Sequence, residues 1–214
     1  MAEGILRRLA AGRTDDGGAE KGRESGGPAG GGWGAIKYTK TAFYTSVTDA
    51  SETASQENKD STRLLKAGAA RCLWLQAPPH ELSGALSMAM DNMSGLDGVI
   101  VEGNAPLDCM DFDAVIFVFG PDAARFKDGA EKALAAADIV VFAGVSDAPE
   151  TGHMTGRAIR GGIFCAPSLS NSEGDNRRGG SSGGVADARA ELDAIYTALA
   201  GILELEGGGC DDSY

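Results

Sequence analysis

Short continuous runs of Val, Ile and Phe constrain this chain most. DGVIVEG at 97 to 103 and DAVIFVFG at 113 to 120 have the composition of strands covered on both faces. ADIVVFAG at 137 to 144 predicts a further central strand, WGAIKY at 33 to 38 and RCLWLQA at 71 to 77 predict two more, and GGIFCAP at 161 to 167 predicts a last one. Between them lie helical patterns. After Pro78 and Pro79, Leu82, Ala85, Leu86, Ala89, Met90 and Met93 recur at three and four, the spacing of one buried face. Asp60 or Ser61 is placed to cap a helix that runs to Ala67 and stops at Gly68. A helix is expected from about 123 to 137, and a closing one from about 185 to 205 buries Val185, Ala188, Leu192, Ile195, Leu199 and Ile202. Strands alternating with helices imply right-handed crossovers, hence an α/β fold with a mostly parallel sheet flanked by helices.

At 214 residues the chain suits one domain with a single core. Glycine accounts for 32 residues, about twice the usual share of roughly 7%. Much of that excess falls in residues 12 to 32 and 170 to 184, which read as flexible loops because they hold too few apolar side chains to offset chain entropy. Residues 39 to 58, rich in Thr and Ser, read as a long surface loop. Residues 2 to 11 set Ile5, Leu6 and Leu9 against Glu3, Arg7 and Arg8, a short amphipathic helix.

A net charge of -12 disfavours nucleic acid and anionic lipid as bulk partners, while leaving room for a local phosphate site. Cys72, Cys109, Cys165 and Cys210 have neither disulfide-framework nor zinc-site spacing, so a reducing cytoplasm is the expected setting. His153 could join Cys165 or Cys109 at a metal only through contacts that no ligand spacing suggests, and His80 reads as a solvated surface histidine.

In parallel α/β sheets, ligands sit beyond the carboxyl ends of the strands. There the chain offers Glu102 and Gly103 after the 98 to 101 run, and Lys37, Tyr38 and Lys40 after the 33 to 38 run. Glu102 either holds a hydrated magnesium ion, which takes few protein ligands, or is a solvated strand end. Lys37 and Lys40 either neutralise phosphate oxygens as point charges or are ordinary surface lysines. Lys59 and Asp60 open a helix whose N–H groups favour an anion, and Asp60 serves equally as a cap.

Taken in order, GAIKYTK, NKDSTRLLKAGA and LDGVIVEGNAP resemble the MobB family of P-loop GTPases, accessory proteins of molybdopterin-guanine dinucleotide biosynthesis. The resemblance covers about residues 33 to 142. It implies a P-loop three-layer sandwich that binds GTP and magnesium. Glu102 would hold the metal, and Lys59, Asp60 and Arg63 would lie in the segment that responds to nucleotide. It also implies a homodimer and molybdenum cofactor biosynthesis proteins as partners. Tyr38 stands where the family often has histidine, the loop after Thr41 is enlarged, and Asp147 is the nearest candidate for a guanine reader.

The chain contains no Gly-x-x-x-x-Gly-Lys-Ser/Thr, the loop that cradles phosphates. The expectation is a chain that starts just after that loop, lacks the first strand and is inactive in this form. The alternative is a pseudo-NTPase scaffold that binds a partner without hydrolysing nucleotide.

Overall fold

A computed structural model of the chain describes residues 1–12, 31–50, 59–120, 129–144, 159–166 and 182–207. Contacts within it divide the chain into Ala2–Met110 and a second unit, Asp111–Tyr214 together with Met1.

In the first unit, α1 (Ala2–Gly12) precedes β1 (Trp33–Lys40), β2 (Ser46–Asp49), α2 (Lys59–Lys66), β3 (Arg71–Ala77), α3 (Leu82–Asp91) and β4 (Gly98–Glu102). The sheet order is β2-β3-β1-β4. β3 and β4 run parallel to β1 on either side of it, and β2 pairs antiparallel with β3. Alternation along each strand sorts side chains to two faces. Ile36, Leu73, Leu75, Val99 and Val101 pack with Leu82, Ala85, Leu86, Ala89 and Met93 around α3. Ala35, Cys72 and Ile100 face the other way, onto Leu6 of α1, Leu64 of α2 and Ala67 just after it. The three and four spacing in α3 therefore marks its buried side, with Met90 partly buried beside it.

Two local expectations needed correction. The polar stretch from 39 to 58 is not all loop: β1 runs to Lys40, and residues 46 to 49 form β2. Only Val47 of β2 joins the core, because an antiparallel edge strand can leave one face to water, so its apolar signal is a single residue. Helix α2 starts at Lys59, which puts Asp60 and Ser61 inside the helix rather than at its cap. Gly68 does end it, at φ +104°, where the Ala69 amide donates to the Leu64 carbonyl at 3.2 Å.

The Cys72 side chain is buried. Burial pushes its thiol from 9.0 up to about 11; the Ser61 hydroxyl offsets part of that rise, and the Asp49 and Glu102 charges add to it. A group raised on folding stabilises fully below its unfolded value and stops doing so as pH rises through the folded one. Stability is thus expected to hold to about pH 9 and then to fall by about 2–3 kcal/mol as pH passes 11. Urea titrations at successive pH values should show this decline, and Cys72→Ala should lose that part of it.

In the second unit, β5 (Ile116–Phe119), α4 (Ala130–Ala136), β6 (Ile139–Ala143) and β7 (Gly162–Ala166) precede α5 (Ser182–Gly207). Its sheet is parallel, in the order β5-β6-β7. Val140 and Phe142 point to a cluster with Phe119, Leu134 and Ala137. Ile195, Leu199 and Ile202 of α5 are buried at the expected spacing. At the amino ends of the strands, buried Asp138 accepts from the Val115 amide at 2.8 Å and from Arg160 Nε at 2.8 Å. Arg160 also donates to the Asp113 carbonyl at 3.0 Å.

All of β6 is buried, as a central strand requires, whereas β4 and most of β5 are only half-buried. Each of the latter two ends its sheet among the described residues, so its apolar composition is not matched by full coverage. Most of the predicted loops at 12 to 32 and 170 to 184 lies outside the described residues, as does the first part of the helix expected from 123. Residues 182 to 184 belong to α5. Among the described residues, no helix is long and apolar enough to cross a membrane.

Candidate functional site

The carboxyl ends of β1, β3 and β4 share one rim because the three strands are parallel. On that rim Lys37 and Glu102 are direct neighbours in the β1–β4 register. Their side chains meet, with Lys37 Nζ 2.9 Å from Glu102 Oε2, and Glu102 is the more exposed of the two at 44%. The pairing follows from the local sequence. Alternation turns Ile36 to the core and Lys37 to the opposite face, and Glu102 is the last residue of an otherwise apolar strand.

β1 continues three residues past this pair, to Lys40, which is exposed and stands opposite Ala77 in the β1–β3 register. Gly103, next after Glu102, has φ +143°, a conformation that disfavours side chains. A Cβ there would lie 3.3 Å from the Tyr38 ring and Cβ, so the chain leaves β4 closely against Tyr38. The Tyr38 hydroxyl donates to the Ala77 carbonyl at 3.1 Å, and burial, followed by the neighbouring Cys109, raises its pKa.

Three of the residues expected at the site, Lys37, Glu102 and Gly103, are therefore brought together, and Lys40 lies on the same strand. Lys59 and Asp60 form the first turn of α2, and their side chains lie outside the described residues. Arg63 pairs with Glu3 of α1, Nε to Oε1 at 2.7 Å. His153, Asp147 and Cys210 are outside the described residues. His80 is exposed, as expected, and lies 3.6 Å from Glu81.

Glu102 is compatible with magnesium, which commonly takes one or two carboxylates and completes its shell with water and phosphate oxygens. Among the described residues no group of three or more His, Cys, Asp or Glu is gathered that could enclose a metal by itself. A metal at Glu102 would consequently draw most of its ligands from water and a bound anion, with Lys37 turning from the carboxylate toward that anion.

The sequence reading missed two rim residues. Phe43 and Tyr44 lie in the β1–β2 connection, 96% and 54% exposed. The available signal was a pair of aromatics inside a stretch of Thr and Ala. No family model, curated protein or solved structure matches this chain.

Proposed function

We propose that this chain is a GTP-binding accessory protein of MobB type in molybdenum cofactor biosynthesis, with the P-loop three-layer sandwich of that family. The observation that carries this reading is the Lys37–Glu102 pair, a cation and a carboxylate on adjacent parallel strands at the rim where such sheets bind ligands. Lys37 and Lys40 neutralise phosphate oxygens, and Glu102 holds a hydrated magnesium ion. That ion, when bound, would supply charge neutralisation at the phosphate. Lys59 and Asp60 belong to the segment that responds to nucleotide. The working form is a cytoplasmic homodimer.

Titration of the full chain with a GTP analogue and magnesium, alongside Glu102→Ala, tests this reading: tighter binding with magnesium that Glu102→Ala abolishes is expected, and no binding under either condition would remove the nucleotide assignment.

The ion pair itself favours a second reading, a pseudo-NTPase scaffold. Glu102 and Lys37 satisfy each other's charge with no ligand present.

A further inference from the structure

Phe43 exposes 96% of its surface to water, the most of any large hydrophobic side chain among the described residues. This exposure is not fraying, because the connection that carries it is fastened on both sides. The Thr41 amide donates to the Ala77 carbonyl at 3.1 Å, and Thr41 Oγ1 donates to the Tyr44 carbonyl at 2.5 Å. Gln76 Nε2 donates to the Tyr44 hydroxyl at 2.8 Å, and the Thr45 hydroxyl donates to Glu81. The turn is thus held by β3 and by the start of α3 while it presents one ring outward.

The surroundings narrow what that ring meets. Phe43 follows Lys40 by three residues, at most about 10 Å of chain, on the rim that carries the Lys37–Glu102 pair. Its immediate neighbours Ala42 and Tyr44 are exposed as well, Tyr44 at 54% and with its hydroxyl held by Gln76, so the connection offers a small aromatic face led by the Phe43 ring rather than a broad apolar patch. A stable protein interface needs about 800 Å² from each partner, whereas a nucleobase needs only one ring to stack on. Cations followed by a small exposed aromatic face suit a ligand that is anionic at one end and flat at the other.

We infer that Phe43 stacks on the purine base of a nucleotide whose phosphates lie toward Lys37 and Lys40. This rests on the nucleotide-binding reading and adds to it a base-recognition element. No atom is transferred. The ring contributes dispersion and desolvation, and it does not by itself discriminate guanine from adenine.

The test titrates the full chain with magnesium GTP and, separately, with inorganic tripolyphosphate, which has no base. Phe43→Ala is expected to weaken GTP binding about tenfold while leaving tripolyphosphate affinity and the melting temperature unchanged. Phe43→Trp should restore GTP affinity, and its indole emission should fall as GTP binds. Lys37→Ala should weaken both ligands. Unchanged GTP affinity in Phe43→Ala, alongside a loss in Lys37→Ala, overturns the stacking inference and leaves the nucleotide reading standing. An equal loss for both ligands in Phe43→Ala also overturns it. So does a dimer that becomes monomeric in Phe43→Ala with GTP affinity intact, which would assign the ring to a second copy of the chain. Failure of the unsubstituted chain to bind either ligand defeats the inference and the nucleotide reading together.

Discussion

Phe142→Ala is expected to destabilise the second unit by about 3–5 kcal/mol. The Phe142 side chain is fully buried in β6, the middle strand of its sheet. Its ring stacks on that of Phe119 with centroids 4.6 Å apart and planes 3° from parallel, while Phe117 meets Phe119 edge-on at 4.9 Å. Truncation removes the transfer free energy of the ring, opens a cavity that flanking strands cannot close, and forfeits the ring pair. Phe142→Leu keeps most of the volume and should cost distinctly less. Hydrogen exchange at the β6 amides is the direct readout, since both tryptophans, Trp33 and Trp74, lie in the other unit. Protection unchanged in Phe142→Ala would contradict the packing described for this sheet.

The second large effect concerns charge. Asp138 is 3% exposed at its side chain and Arg160 is 35% exposed, with Nε 2.8 Å from Oδ1. Arg160→Met leaves the carboxylate buried without its guanidinium partner and releases the Asp113 carbonyl as well. Breaking a buried pair typically costs about 3–5 kcal/mol; with a third of Arg160 in water, about 2–4 kcal/mol is expected here. Asp138→Asn in the Arg160→Met background should recover part of the loss, because a neutral amide retains an acceptor for the Val115 amide. Equilibrium urea unfolding of the two single variants and the double variant gives the coupling directly. Additive losses would mean that the pair is only geometric.

These contrasts indicate what was legible in the sequence. The RCLWLQA run coincides with β3 from end to end, and the α3 spacing identifies its buried side, because both carry a full period of apolar residues. Strand β2 was illegible for the opposite reason: SVTD offers the core one side chain, and its place is set by pairing with β3. Composition also cannot distinguish an edge strand from a central one when the edge strand is itself apolar. DGVIVEG and ADIVVFAG read alike, yet only the strand in the latter, IVVFA, is wholly buried.

At the site, strand ends were legible and partnerships were not. The positions of Lys37 and Glu102 followed from where apolar runs stop. Their 2.9 Å contact depends on the β1–β4 register, which one sequence does not specify. Phe43 went unnoticed because its distinguishing property is exposure, and only the fastened turn reveals that.

Magnesium-dependent binding of a GTP analogue by the full chain is the decisive measurement for the proposed function. Affinity should be at least about tenfold higher with magnesium than with chelator, a differential of about 1.4 kcal/mol, and Glu102→Ala should remove most of that difference. Magnesium-dependent affinity left intact in Glu102→Ala would contradict the assignment of Glu102, and no nucleotide binding under either condition would contradict the function proposed for this chain.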